Sequence, residues 1–262
     1  MDVLCWTAFD EMPVEAIVTT RSGGVSSGAY ASLNMSLSVG DNPEAVLENR
    51  RRVAGALEVD LADFVFARQV HGAGVRVVTG ADRSAGAFAV DDAVPEADVL
   101  VTRDPAVVLA ILAADCVPIV LYDPVAHVLA CVHAGWRGTV ARASAAGVTA
   151  MAGLGARPAR IVAGIGPAIG ADRFQVGAEV AAAAEAEFGG DAGAVIRPDG
   201  TGRWLFDLAA ANRLVLREAG VADGNVHVAR YVTGGGMFFS DREARPCGRL
   251  ALVARLRPGS ER

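Results

Sequence analysis

Val107-Val108-Leu109-Ala110-Ile111-Leu112-Ala113-Ala114-Asp115-Cys116-Val117-Pro118-Ile119-Val120-Leu121-Tyr122 opens the stretch whose reading decides the fold. Val128-Leu129-Ala130-Cys131-Val132-His133-Ala134-Gly135-Trp136-Arg137-Gly138-Thr139 completes it. Three apolar runs of strand length, 107–113, 119–122 and 128–132, are separated by Asp115 and by the turn residues Asp123-Pro124, and a helical pattern follows over 139–152. Working outward, strand-like runs occupy 16–20, 64–70, 75–78, 97–102, 160–164, 226–232 and 250–254. Helices are predicted over 43–57, with Asp41 or Asn42 as cap and Pro43 in the first turn, and over 179–188 and 206–219. Helices and strands do not alternate as repeated βαβ units, and no fixed-period repeat is present. The pattern therefore predicts an α/β fold with layered mixed sheets rather than a TIM barrel or a doubly wound nucleotide-binding sheet. No linker divides the chain, and one domain over 1–262 is expected.

Composition narrows the function. The chain has 262 residues, 52% of them hydrophobic, enough to bury a large core. Its longest apolar run, around 107–114, is too short to cross a bilayer. A net charge of −6 argues against a nucleic-acid partner, which requires a broad basic surface. The start Met1-Asp2-Val3-Leu4-Cys5-Trp6 lacks the basic and apolar regions of a secretory signal, so a cytoplasmic location is expected. Cys5, Cys116, Cys131 and Cys247 form no close-set framework and are expected as free thiols.

Glycine-rich loops lie at 21–28, 164–170 and 234–236. None is a Gly-x-Gly-x-x-Gly between strand and helix and none is followed by Gly-Lys-Ser/Thr, which removes dinucleotide and P-loop readings. The chemistry concentrates elsewhere. His71, in Gln69-Val70-His71-Gly72, Cys116, beside Asp115, and His133, before Gly135-Trp136-Arg137-Gly138, each fall at a predicted strand end. Two imidazoles and one thiolate make a three-ligand metal site with an open fourth position, the arrangement of catalytic rather than structural zinc. Pro118 is expected to end the hydrogen-bond pattern beyond Cys116. Thr139 is the expected cap of the following helix, placing Arg137 near backbone N–H groups that favour an anion. Trp136 is either core or a stacking surface. His127, His227 and Cys131 are read as structural.

Together these segments, with Thr19-Thr20-Arg21-Ser22-Gly23-Gly24-Val25-Ser26, Ser32-Leu33-Asn34, Gly166-Pro167-Ala168-Ile169-Gly170 and Phe238-Phe239-Ser240, closely resemble the laccase-domain family across nearly the whole chain. That family is also called multicopper polyphenol oxidoreductases, purine nucleoside phosphorylases and peptidoglycan editing factors. The resemblance implies an α/β/β/α fold similar to the catalytic domain of cytotoxic necrotizing factor, with zinc on His71, Cys116 and His133. It further implies phosphorolysis of adenosine, inosine and methylthioadenosine, with adenosine deamination as a second activity. The chain departs from the family pattern at Ala229-Arg230-Tyr231-Val232-Thr233 and at Ser240-Asp241-Arg242, where relatives carry Cys-Thr and Ser-Tyr-Arg.

Four histidines cannot supply a blue-copper centre and a trinuclear cluster, so multicopper chemistry is excluded, although a single copper has the same ligand set. For phosphorolysis, Arg21 and Arg137 are the candidates for phosphate and Asn34 or Gln69 for the nucleoside. For deamination, Asp115 is a candidate proton shuttle, while the His-x-Glu and Pro-Cys-x-x-Cys signature is absent. Two alternatives use the same residues. One is a hydrolase, either metal-free with Cys116 as nucleophile and His133 or His71 as base or metal-dependent, for which the resemblance implies editing of peptidoglycan precursors; the other is a small-molecule-binding module without turnover.

Overall fold

The computed structural model describes residues 1–257, and the end of the expected domain lies outside the described residues. Fourteen strands occur among them: β1 (Val3–Leu4), β2 (Val14–Thr19), β3 (Phe64–Phe66), β4 (Val75–Val77), β5 (Val99–Thr102), β6 (Val108–Ala113), β7 (Val117–Asp123), β8 (Val128–Ala134), β9 (Val162–Ile165), β10 (Gln175–Val176), β11 (Ile196–Pro198), β12 (Trp204–Phe206), β13 (Val226–Val228) and β14 (Leu250–Leu256). The α-helices are α1 (Pro43–Ala56), α2 (Trp136–Val140), α3 (Ala143–Gly153), α4 (Ala178–Phe188), α5 (Ala192–Val195) and α6 (Leu208–Glu218).

Two mixed sheets dominate. One has the order β1-β2-β14-β6-β3, the other β13-β9-β7-β8-β5-β4, and β10-β12-β11 form a small third sheet. Period-two alternation builds the layers, because successive side chains of a strand point to opposite faces. Along β6, Leu109 and Ile111 enter the core between the two large sheets, while Val108 and Ala110 face Val53 and Leu57 at the α1 layer. Along β8, Leu129 and Cys131 enter the same central core, while Ala130 and Val132 face the layer that holds Met151 of α3 and Val215 of α6. The result is helix, sheet, sheet, helices. Strands buried on both faces read as continuous apolar runs, which is why 107–113 and 128–132 carry no polar alternation. Among the described residues no helix is long and apolar enough to cross a membrane.

Several local expectations are corrected. Pro118 does not end pairing: it lies inside β7 opposite His133, and its carbonyl accepts from Gly166 N at 2.8 Å. The single helix expected over 139–152 is two, because Arg142 adopts φ 60° between α2 and α3, its guanidinium held by Glu187 and Glu218. Gly135, not Thr139, is the N-cap of α2, and the Thr139 hydroxyl accepts from Asn212. In the runs 64–70 and 226–232 the strands end at Phe66 and Val228, beyond which only isolated bridges, Ala67 to Val94 and Val232 to Ala168, continue, and Phe206 belongs to β12 rather than α6.

Candidate metal centre and its cavity

The two large sheets share their chain at a few crossings, and the candidate ligands sit on them. The link from β3 to β4 carries His71 from the first sheet to the second, and Ala114-Asp115-Cys116 does the same between β6 and β7. His133 stands at the end of β8, next to β7. The ligating atoms of His71, Cys116 and His133 all lie within 4.8 Å of one another, and the two imidazole centroids are 4.9 Å apart. His71 is exposed, Cys116 half-buried and His133 buried, so the cluster opens to solvent on one side.

Both crossings are strained and held. His71 and Asp115 have φ of 60° and 89°, in the left-handed region that side chains other than glycine disfavour. Around His71, the compensation comes from Asp98, a fully buried residue just ahead of β5. Its carboxylate accepts from the N–H groups of Val70 at 3.2 Å, His71 at 3.0 Å and Gly72 at 2.8 Å. The same carboxylate meets His133 Nδ1 at 2.8 Å, and the Asp98 carbonyl accepts from His133 N at 2.7 Å. One side chain thereby orients two of the three candidate ligands and leaves His133 Nε2 for the cluster. Around Asp115, Oδ1 accepts from the Thr233 hydroxyl at 2.5 Å and Oδ2 from Arg242 N at 2.6 Å. Asp115 latches the 233–242 segment beside the cluster, and both of its oxygens are engaged.

Gly135 explains how the three approach so closely. A Cβ there would lie 2.9 Å from Cys116 Sγ and 3.1 Å from His71 Cδ2, so only glycine leaves the space. Electrostatics complete the fit to a metal. Burial pushes the Cys116 thiol up, but the charge and donor capacity of His133 and then His71 outweigh it and bring the thiol down to about 6. Burial pulls His133 down, and the Cys116 thiolate with Asp98 more than reverses it, to about 9. A thiolate facing two imidazoles, one fixed by a buried carboxylate, is a donor set suited to zinc or copper.

The cluster lies in the wall of a cavity of about 520 Å³. Six arginines line it, Arg50, Arg68, Arg137, Arg242, Arg245 and Arg249, against two aspartates, Asp115 and Asp241. Arg137 stacks on Trp136 at 4.3 Å from the ring centroid and has no carboxylate within 4.0 Å among the described residues. Trp136 thus presents one face to a guanidinium. Gln69 lines the cavity, but its amide is pinned to the Leu112 backbone, donating to O and accepting from N at 2.8 Å each.

Two expected substrate contacts are not brought to the cavity. Arg21 donates through Nε to Ala31 O and stacks over Phe239, outside the lining residues. Asn34 is fully buried and hydrogen-bonds Ser36, Asp41 and Arg249 N. Their sequence signal is loop construction. His127 pairs with the Tyr122 hydroxyl at 2.9 Å, and all four cysteines are free. Sequence reasoning missed Asp98, whose only signal was a carboxylate at the start of a buried strand, and Arg50, Arg68, Arg245 and Arg249, which no motif linked to the site.

Known proteins agree with this architecture. The family model described as multi-copper polyphenol oxidoreductase laccase matches residues 15–257. A protein of Deinococcus radiodurans named purine nucleoside phosphorylase is 43% identical over 243 residues, 90% of this chain and 86% of that one. Adenosine deaminase RL5, from an unknown prokaryotic organism, is 42% identical over 213 residues, 81% of each chain. The crystal structure of YlmD from Geobacillus stearothermophilus superposes with a TM-score of 0.92 at 36% identity, covering 97% of this chain and 94% of that one. With a His71–Cys116–His133 cluster on an arginine-lined cavity and a family match over nearly its whole length, the chain belongs to the multi-copper polyphenol oxidoreductase laccase family, and several similar proteins are named purine nucleoside phosphorylases.

Proposed function

We propose that the chain is a zinc-dependent purine nucleoside phosphorylase acting on adenosine, inosine and methylthioadenosine. The observation that carries the reading is the conjunction of a His71–Cys116–His133 cluster with an arginine-lined cavity of about 520 Å³, a volume suited to a small-molecule ligand. Relatives named for that activity support it. When bound to His71, Cys116 and His133, the metal supplies Lewis-acid stabilisation of developing negative charge. The chain's own residues do the rest. Arg137, next to the cluster and without a carboxylate within 4.0 Å among the described residues, holds a phosphate oxygen against the anomeric carbon. Asp98 keeps His133 in one orientation, and Asp115 keeps the 233–242 segment against the cavity. With both Asp115 oxygens engaged, a proton-shuttle role is not assigned to it. Adenosine deamination is proposed as a second activity of the same centre, following the relative named for it.

A second reading is favoured by one specific observation. Cys116, His133 and Asp98 stand in series as thiol, imidazole and orienting carboxylate, the order of a cysteine hydrolase. Zinc-replete and chelator-treated protein, each incubated with inosine, adenosine and phosphate, separates the readings. Ribose 1-phosphate formed only by the zinc-replete sample supports phosphorolysis. Absence of ribose 1-phosphate from every purine nucleoside rejects it, and covalent trapping of Cys116 during turnover of the metal-free protein selects the hydrolase.

A further inference from the structure

Arg50 is a buried cation without a counter-ion. It lies in α1, is 2% exposed, and has no carboxylate oxygen within 4.0 Å among the described residues. Its Nε donates to Met35 O at 2.9 Å, its Nη1 to Gly86 O at 2.7 Å and Ala87 O at 2.8 Å, and its plane stacks on Phe66 at 4.0 Å. Its Nη2 has no protein acceptor among the described residues, and the residue lines the cavity. Burial pulls the guanidinium down to about 9, which leaves it charged at neutral pH. Burying a charge costs several kcal/mol unless a partner compensates, and three carbonyls supply dipoles but no charge.

The surroundings lack the missing charge too. Arg50 stacks on Phe66, whose strand leads into the lining residues Arg68, Gln69 and His71. Ser36 and Ser38 line the same cavity, their hydroxyls 3.0 Å apart. Arg249 adjoins that segment, since Met35 N donates to its carbonyl at 3.0 Å. Asp241 is shared between Arg245 and Arg249, and Asp115 is spent on Thr233 and Arg242 N, so neither cavity carboxylate reaches Arg50.

We propose that the cavity wall at Arg50 is an oxyanion subsite, in which Arg50 Nη2 and the Ser36 and Ser38 hydroxyls bind a phosphate or phosphoryl group. A guanidinium N–H and hydroxyl donors on one cavity wall suit a tetrahedral oxyanion, which has acceptors on every side. The inference deepens the phosphorolysis reading and rests on it for the choice of probe. The group comes from one of two sources, free inorganic phosphate or the 5′-phosphoryl group of a nucleotide; the first shares the reacting phosphate with Arg137, and the second leaves that phosphate to Arg137 alone.

Calorimetric titration of the zinc-replete protein with inorganic phosphate, adenosine, adenosine 5′-monophosphate and acetate distinguishes them. Binding of phosphate alone assigns free phosphate. The monophosphate binding tenfold or more tighter than adenosine, without phosphate binding, assigns the ester; about tenfold is the low end for one charged hydrogen bond. Arg50→Lys, which keeps the charge but loses the fork, is expected to weaken the anion by tenfold or more and adenosine by less. Ser38→Ala, at an exposed position, is expected to weaken the anion about threefold and serves if Arg50→Lys does not fold. The proposal is overturned if neither anion binds the wild type, if acetate binds as well as phosphate, or if anion affinity is unchanged in the folded variants. Anion binding without ribose 1-phosphate formation keeps the subsite and rejects phosphorolysis. Ribose 1-phosphate formation with unchanged KM for phosphate and unchanged monophosphate affinity in Arg50→Lys keeps phosphorolysis and rejects the subsite.

Discussion

Asp98→Asn is the sharpest perturbation of the metal centre, because the change is isosteric and the side chain is fully buried. In the wild type the carboxylate accepts four hydrogen bonds, from His133 Nδ1 and from the N–H groups of Val70, His71 and Gly72. These bonds, with the partner charge of His133, hold the Asp98 carboxyl below its ordinary range against a burial effect of opposite sign. An asparagine keeps one acceptor oxygen. If that oxygen stays toward His133 and His71, the new NH2 faces the N–H groups of Gly72 and Val70, donor against donor. If the amide flips, His133 loses its partner. Leaving buried donors unsatisfied costs about 1–3 kcal/mol each, so a loss on the order of 3–5 kcal/mol of stability follows for two donors and a weakened charged bond. Released orientation of His133 and His71 predicts roughly 10- to 100-fold weaker metal binding. Metal competition against a chromophoric chelator measures the second quantity and denaturant unfolding of the metal-free protein the first. A variant that holds zinc within about twofold of wild type and unfolds within about 1 kcal/mol of it refutes the assignment of Asp98 as the residue that positions both histidines.

Three further outcomes follow from the same geometry. Cys116 of the chelated protein should be alkylated by iodoacetamide with a midpoint near 6, because a lowered thiol is ionised above that pH and protonated below it. The midpoint rather than the rate is diagnostic, since a thiolate of low pKa is also a weaker nucleophile. Cys131 and Cys247, pushed up by burial, stay unmodified at neutral pH, and zinc should protect Cys116; peptide mass mapping across pH 5–9 reads all three, and a midpoint near 9 contradicts the thiolate–imidazole pair. Gly135→Ala should abolish stoichiometric zinc by metal analysis while costing about 1–3 kcal/mol of stability, since its Cβ would meet Cys116 Sγ at 2.9 Å. Arg137→Ala should raise KM for phosphate by about 10- to 100-fold, the loss of one charged hydrogen bond, in steady-state assays of ribose 1-phosphate; an unchanged KM removes Arg137 from the phosphate site.

Much of this was legible in the chain because strands buried on both faces write themselves as apolar runs. The stretch 107–139 gave β6, β7 and β8 and the turn into a helix, and its polar interruptions, Asp115-Cys116 and His133, marked where a crossing and a strand end expose a ligand. His71 was readable for the same reason, between Gln69 and a glycine after an apolar run. What was not legible depends on partners distant in sequence. Arg142 breaks a helix through Glu187 and Glu218, Pro118 sits in a central strand because only its carbonyl is asked to pair, and Asn34 is buried as a bracket between Asp41 and Arg249 N. The third sheet, made of strands two or three residues long, falls below any periodic signal.

The residues that sequence reasoning missed share one property: their chemistry is set by what they lack or gather in space. Asp98 looks like the polar start of a strand until three N–H groups and an imidazole converge on it. Arg50 looks like one of three consecutive arginines on an amphipathic helix, of which Arg51 and Arg52 are exposed as the pattern predicts. It alone turns inward, and a helix that buried a guanidinium only for its own stability would supply a carboxylate, since pairing is what makes buried charge tolerable. The absence of that carboxylate, at the wall of a cavity whose other carboxylates are already engaged, places the demand for negative charge on the ligand. The His71–Cys116–His133 cluster and the buried arginine then line one cavity, and a substrate that satisfies both must carry a polar group for the first and an oxyanion for the second.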